Sequence, residues 1–377
     1  MGMELTRDQQ SRGLTEEGII HIPGLLSRWV RLANGARCHY VTAGETGPAI
    51  ILLHGGIVGS SGTAGWRFMA PFLGQNGFRV YAPDRPGFGL ADTGREFWPE
   101  RGYQSQVEFV NDFADALGLD KFHLSGNSMG GQITAQYVIN HPERIISYAL
   151  IATNVGDIVE APRTTGKQSR FTPNPDYAPP VWDGSEQSMQ VLMEGIIYNT
   201  PEIWPELITM RNRAALLQRE VNNHTGSLGA GRGQNTRPIA PGGGPADDPN
   251  FMQWVSTKDR LDKITLPGIY LYGLQDVLGP VENGFDQEDV LPNVQMFYPD
   301  ECGHQGQTDQ PELFNQAFLE FFRDGKVSWQ TARRAGVSRR RAIDPKYVEQ
   351  PDGGFPPPDP SLYDSIEKLR AATKVTA

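Results

Sequence analysis

An α/β architecture is predicted, with a mostly parallel sheet, helices on both faces and an inserted lid, and three features of the sequence point to it. First, apolar runs at 48–53 and 145–153 read as strands buried on both faces. Second, segments of helical period recur between such runs, so strands and helices alternate. Third, the strand-like Lys121–Leu124 leads into Ser125-Gly126-Asn127-Ser128-Met129-Gly130-Gly131, and that stretch opens the amphipathic run Gln132–Ile139. A serine between two glycines at a strand-to-helix turn sits on a tight bend with its hydroxyl exposed above the sheet.

Residues 1–26 form a lead-in, polar at first and then Gly18–Gly24. Ser27–Leu32 alternates polar and apolar as a half-buried strand does. Asn34-Gly35 signals a hairpin, and Ala36–Ala43 is the partner strand. After the strand at 48–53 come the glycine-rich His54–Gly62, a helix over Trp66–Gly74, a strand over Phe78–Ala82 and a loop over Pro83–Gly89. Asp84 is expected to fix that loop by accepting backbone N–H bonds. Val107–Leu117 has helical spacing and closes at Gly118. Pro142 stops the helix after Ser128, and His141 is expected there as an exposed C-terminal cation.

The core is assigned to 27–155 and 256–324, with a lid at 156–255. The lid holds Pro-rich 171–180, Gly-rich 225–233, a mobile loop at Ala240–Pro245, an exposed His224 and helical runs Ser188–Tyr198 and Pro201–Gln218. Such an insertion supplies most of a substrate pocket. Strands resume at Ile264–Tyr272 and Val294–Tyr298, and Pro311–Phe322 is a closing helix with one apolar face. Residues 325–377 read as a tail. Its basic run Ala332–Arg341 is a solvated arm or a subunit contact, Pro356–Pro360 an extended linker, and Ser361–Thr373 a short helix.

The formal net charge of −10 argues against nucleic acid or an anionic membrane as partner. Two cysteines, Cys38 and Cys302, give no disulfide framework. The N-terminal stretch has no apolar core of a signal peptide, and no apolar run is long enough to span a bilayer. The expectation is a cytoplasmic protein that acts on a small molecule, with homo-oligomerisation open. No Cys/His spacing suits a metal, and no Gly-x-Gly-x-x-Gly suits a dinucleotide, so neither cofactor nor metal is expected.

The chemistry is carried by Ser128, Asp276 and His304. Each is placed after a predicted strand on one rim of the sheet, where open α/β sheets bind ligands. A serine hydroxyl needs an adjacent base, and the base needs an acid to hold its tautomer. Asp276 in Gly273-Leu274-Gln275-Asp276 and His304 in Cys302-Gly303-His304 supply them in the chain order nucleophile, acid, histidine. The N–H of Met129, at a helix N-terminus, and the loop His54-Gly55-Gly56 after a central strand are placed to hold an oxyanion. His54 is a structural donor bracing that loop, not a base.

These motifs resemble the α/β-hydrolase superfamily. Within it, Gly126-Asn127-Ser128-Met129-Gly130-Gly131 is similar to the meta-cleavage-product hydrolases, which cleave a C–C bond in ring-opened catechol products (2-hydroxy-6-oxo-dienoates). The resemblance covers roughly 27–155 and 190–323. It implies an α/β-hydrolase fold, an oxyanion hole from the N–H groups of Gly56 and Met129, and a role in aromatic catabolism. It also implies substrate contacts from Gly55, Asn127 and Arg211, the last against the dienol oxygen or carboxylate. Two positions differ from the family pattern. Gln305 stands after the histidine where the family has tryptophan, and Phe68 stands where it has a carboxylate-binding asparagine. The same triad also serves a carboxylesterase or lactonase. A reading of another class is a non-catalytic small-molecule receptor on this fold, which need not keep all three triad residues.

Overall fold

The computed structural model describes residues 13–153, 155, 180–225, 257, 259–279 and 281–338. The expected features at 171–179, 226–233, 240–245, 339–341 and 356–373 lie outside the described residues.

Strands β1 (Leu26–Arg31) and β2 (Arg37–Ala43) form the antiparallel hairpin turned at Asn34-Gly35. They are followed by β3 (Ala49–Leu53), helices α1 (Gly62–Trp66) and α2 (Met69–Gln75), β4 (Arg79–Pro83), α3 (Tyr103–Ala116), β5 (Phe122–Asn127), α4 (Met129–Asn140) and β6 (Ile145–Ile151). The insertion contributes α5 (Glu186–Glu194), α6 (Pro205–Leu217) and α7 (Arg219–Thr225). The chain then forms β7 (Gly268–Leu271), α8 (Glu282–Val290), β8 (Val294–Phe297), α9 (Gly306–Asp309), α10 (Pro311–Asp324) and α11 (Trp329–Arg334).

The eight strands lie in the order β1-β2-β4-β3-β5-β6-β7-β8. β2 pairs antiparallel with β1 and β4, and the pairs from β4 through β8 are parallel. Strand alternation splits the core in two. Ile51, Leu53, Leu124, Leu150 and Tyr270 pack with α3, α4 and α8, whereas Ile50, Leu52, Ile151 and Leu271 pack with α1, α2, α10 and α11. Strands with both faces covered this way must be apolar throughout, as β3 is, with every residue buried.

Several elements differ from expectation. The single helix expected over Trp66–Gly74 is broken at Arg67-Phe68. There the Arg67 side chain is buried and donates to the carbonyls of Ala64 (2.9 Å) and Glu202 (2.8 Å). The lid runs are shorter than their apolar pattern, with a 3₁₀ turn at Thr200–Glu202 between them. α8 escapes sequence reading because Glu-Asn-Gly-Phe-Asp-Gln-Glu-Asp-Val carries almost no apolar stripe. His141 is half-buried against the Tyr137 ring at 4.7 Å, and burial lowers its pKa, so it is not the exposed cation expected.

The reading of everything after 325 as a tail is corrected over its first part. Val327, Ala332, Ala335 and Val337 are buried, and Val337 bridges Phe297 at the edge of β8. Glu320 accepts from Ser328 N (2.7 Å) and Thr331 Oγ1 (2.9 Å), which caps α11 onto α10. Arg333 and Arg334 stay exposed on the outer side of the same helix. The arginines dominate the composition while four small apolar side chains do the packing.

Candidate active site

The turn at Ser128 is as tight as its glycines imply. A Cβ on Gly126 would lie 2.1 Å from the carbonyl carbon of Gly130, and one on Gly130 would lie 2.2 Å from the carbonyl oxygen of Leu53. Only glycine lets β5, α4 and the end of β3 approach this closely. Ser128 itself takes φ 54° and ψ −124°, a strained conformation for a side chain with a Cβ. It is held by Ser128 N donating to the Ile151 carbonyl (2.9 Å) and Thr153 Oγ1 donating to the Ser128 carbonyl (2.6 Å). The Ser128 side chain caps nothing, so its hydroxyl is not committed to the helix. Met129 opens α4, and its N–H therefore has no intrahelical acceptor.

Asp276 follows β7 and His304 follows β8, on the rim to which β5 delivers Ser128. His304 Nδ1 lies 2.8 Å from Asp276 Oδ2. Asp276 Oδ1 accepts from Leu278 N (2.8 Å) and Gly279 N (3.1 Å), so both carboxylate oxygens are held. Both residues are buried, and the other ring nitrogen of His304, Nε2, is buried with no hydrogen-bond partner. Asn127 Nδ2 donates to the carbonyls of His304 (3.0 Å) and Ile151 (3.2 Å). The residue before Ser128 is thus tied to the histidine's backbone. Asn127 is expected from the sequence as a substrate contact, but its amide nitrogen is spent on this tie.

The His54-Gly55-Gly56 loop packs on the elbow. A Cβ on Gly55 would meet Ser128 Cβ at 3.3 Å, and one on Gly56 would meet Met129 Sδ at 2.6 Å. His54 braces the loop as expected: Nδ1 lies 2.7 Å from the Gly55 carbonyl and Nε2 accepts from Arg85 N (3.2 Å). Burial and the Arg85 charge pull its pKa down to about 3, so the ring is neutral. Arg85, which the sequence did not single out, donates from Nη2 to the carbonyls of His54 (2.8 Å) and Gly55 (2.9 Å). Asp84 fixes the next turn as expected, accepting from Gly62 N (2.7 Å) and Leu90 N (2.8 Å).

Arg211 reaches in from lid helix α6. Its guanidinium is buried, yet its hydrogen bonds are long: Nη2 lies 3.4 Å from the Val58 carbonyl and 3.3 Å from Ser60 Oγ, and Nε has no partner. No carboxylate lies within ion-pair distance of it among the described residues. Burial, with the neighbouring charge of Arg67, lowers its pKa to about 9, which leaves it a cation at neutral pH. Arg67, also missed in the sequence, stacks over Phe68 (4.3 Å) and Trp204 (5.2 Å). Two buried cations therefore stand near each other; Arg67 feels the negative charge of Glu202, while Arg211 has no such partner among the described residues.

A second serine–histidine–aspartate chain exists elsewhere in the fold. Ser27 Oγ lies 3.1 Å from His39 Nε2, and His39 Nδ1 lies 2.8 Å from Asp84 Oδ2. It has the spacing of a relay but none of the surroundings. Ser27 sits within an extended strand, not at a helix N-terminus, and its hydroxyl also donates to Glu17. Ser27→Ala is expected to leave turnover within twofold of wild type while costing about 1 kcal/mol of stability from the lost hydrogen bonds, measured by denaturant titration.

Residues 48–311 match the α/β hydrolase fold family, and the chain belongs to it. A 2-hydroxy-6-oxononadienedioate/2-hydroxy-6-oxononatrienedioate hydrolase of Paraburkholderia phymatum is 26% identical over 312 residues, covering 80% of this chain and 98% of the relative. A 2-hydroxy-6-oxo-6-phenylhexa-2,4-dienoate hydrolase of Burkholderia cepacia is 28% identical over 299 residues, covering 77% of this chain and 92% of the relative. The crystal structure of a 2-hydroxy-6-oxo-6-phenylhexa-2,4-dienoate hydrolase from Rhodococcus superposes with a TM-score of 0.59 at 23% identity, covering 79% of this chain and 99% of that one. The chain is thus a hydrolase of this fold whose distant homologues are meta-cleavage-product hydrolases. Among the described residues no helix is long and apolar enough to cross a membrane.

Proposed function

We propose that the protein hydrolyses a C–C bond in a small ring-fission product bearing a carboxylate, with Ser128, His304 and Asp276 as its triad. The observation that carries the carboxylate is Arg211. A buried guanidinium without an anion is electrostatically incomplete, and a substrate carboxylate completes it.

In this reading the dienol end of the substrate is polarised by Arg211 while His304 shuttles the proton that ketonises it. The second ketone is then attacked by Ser128 Oγ, or by water, with His304 Nε2 taking the proton. The N–H groups of Gly56 and Met129 hold the resulting oxyanion, each worth roughly 3 kcal/mol of barrier. The C–C bond breaks as the tetrahedral centre collapses, and the leaving carbanion is protonated to the hydroxydienoate. Water releases the acyl fragment as its acid. Asp276 keeps the proton of the neutral ring on Nδ1, so that Nε2 is free to act as base.

The alternative is an esterase or lactonase with the same triad. Phe68 and Gln305 favour it, since both replace polar or aromatic groups that the dienoate-cleaving family carries. Assaying purified protein against a ring-fission dienoate and against nitrophenyl esters separates the two. Bleaching of the dienoate chromophore supports C–C cleavage, whereas ester turnover with an inert dienoate supports the alternative.

Arg211→Met gives a sharper result. Loss of the anion partner is expected to lower dienoate kcat/KM by roughly 2–5 kcal/mol of transition-state binding, while turnover of an uncharged ester falls much less. The same variant is expected to be as stable as wild type or more so, by about 1–4 kcal/mol, because an unpaired buried charge is replaced by an apolar chain of similar length. A large loss of thermal stability would show that Arg211 is a structural strut.

A further inference from the structure

We infer that Asp309 is a positioning residue that locks the lid to the histidine loop, and that the lock holds only while its carboxylate is ionised. The inference rests on reading His304 as the catalytic base.

Asp309 ends the short helix α9, five residues after His304. Its Oδ2 accepts from Gly303 N (2.7 Å), on the residue immediately before the histidine. Its Oδ1 accepts from Asn199 N (2.9 Å), in the lid segment between α5 and α6. The N–H of Tyr198 also donates to this carboxylate, and Asn199 Nδ2 donates to the Asp309 carbonyl (3.1 Å). In the other direction, His304 N donates to the lid carbonyl of Ile196 (3.2 Å). Gly303 is clamped between these groups: a Cβ there would lie 3.0 Å from the Ile196 carbonyl oxygen and 3.3 Å from both Asp309 Oδ2 and Tyr198 N. One buried carboxylate therefore collects backbone donors from the lid on one oxygen and from the histidine loop on the other.

Protonation removes the negative charge that strengthens these N–H bonds, so the bonds to the lid and to Gly303 weaken together and the two segments lose their shared anchor. Burial, the largest influence, raises the Asp309 pKa to about 6, and the nearby negative charge of Asp276 adds to it. The other titratable groups on the elements packed around it are Asp300, Glu301, Cys302 and His304 in its own loop, Tyr198 and Glu202 in the lid segment, and Glu312 at the start of α10; α1 has none. Burial pushes the Cys302 thiol well up, so it stays neutral. The effect on global stability has the opposite sign to the effect on the lock. A carboxylate whose pKa is raised on folding contributes stability that is fully present below the unfolded value near 3.8 and is lost as pH rises through about 6. Loss of activity through this group in mild acid is therefore not unfolding.

The test uses the full chain with Asp309→Asn, which places an amide N–H against a backbone N–H at every pH. Folding is checked by circular dichroism. Three readouts are followed from pH 5 to 8. They are the labelling rate of Ser128 by a fluorophosphonate, hydrogen exchange at Tyr198, Asn199 and Gly303, and the deshielded proton resonance of the His304–Asp276 hydrogen bond. In wild type the labelling rate should fall as pH drops through about 6, as those amides lose protection and the resonance broadens. In the variant, labelling should be at least about tenfold slower at pH 8, and the amides and resonance should already be in their acid state. Equal labelling, protection and resonance in the two proteins at pH 8 would overturn the inference. If neither protein is labelled at Ser128, the serine reading fails, and the amides and the resonance still decide the role of Asp309.

Discussion

Ser128→Ala is expected to reduce dienoate turnover by about 10⁴-fold or more in kcat, with substrate binding retained. The size follows from the role proposed for the hydroxyl: it is the attacking atom, and its removal leaves the rest of the site intact. Ser128 Oγ makes no capping bond, so its removal should cost little stability. Alanine meets the same strain as serine at φ 54°, since both carry a Cβ. Lost activity at unchanged melting temperature is thus the signature of a nucleophile. Stopped-flow absorbance should show the dienoate bind, ketonise and then stall. Cleavage within tenfold of wild type would instead assign the attack to water activated by His304, and Ser128 would become an oxyanion neighbour.

Which residues were legible in the sequence depends on whether their signal is local. Ser128 is recognisable because strand, glycines and helix lie in one short stretch, and that pattern demands backbones so close that a Cβ on Gly126 or Gly130 would lie about 2 Å from a neighbouring backbone atom. Asp276 and His304 are recognisable because each follows a strand at a sheet edge that the alternation of elements already defines. Strands β3 and β6 are legible for a similar reason, since strands covered on both faces are largely apolar.

Arg67, Arg85 and Asp309 carry no such signal. Their decisive partners include backbone groups 30 to 135 positions away, such as the Gly55 carbonyl for Arg85, the Asn199 N–H for Asp309 and the Glu202 carbonyl for Arg67. Nothing in a linear pattern distinguishes a buried arginine from a solvated one. The segment after Gly325 shows the same limit: Arg333 and Arg334 read as a solvated charge run, and solvated they are, but the helix carrying them is docked through Ala332. The Ser27–His39–Asp84 chain shows the converse. Hydrogen-bond distances alone do not make a nucleophile: Ser27 lacks the helix N-terminus and the packed glycine loop that stand beside Ser128.

Asp276→Asn should lower kcat by about 10³–10⁴-fold, and the hydrogen bonds of the acid explain why so small a change costs so much. Asp276 accepts on both sides: from the ring through Oδ2, and from Leu278 N and Gly279 N through Oδ1. An asparagine has one acceptor oxygen and one donor nitrogen. If the oxygen stays with the two backbone N–H groups, the amide nitrogen faces His304, which must then accept at Nδ1 and carry its proton on Nε2. That tautomer has no lone pair for the serine proton. If the amide turns over, the ring keeps its tautomer but two buried N–H groups face a donor, at roughly 1–3 kcal/mol each. The first arrangement leaves fewer buried groups unpaired, so the variant should fold near wild-type stability and fail as a base. Its pH profile should rise above neutrality, as hydroxide replaces the lost general base. Near-wild-type turnover in Asp276→Asn would show that another residue supplies the acid.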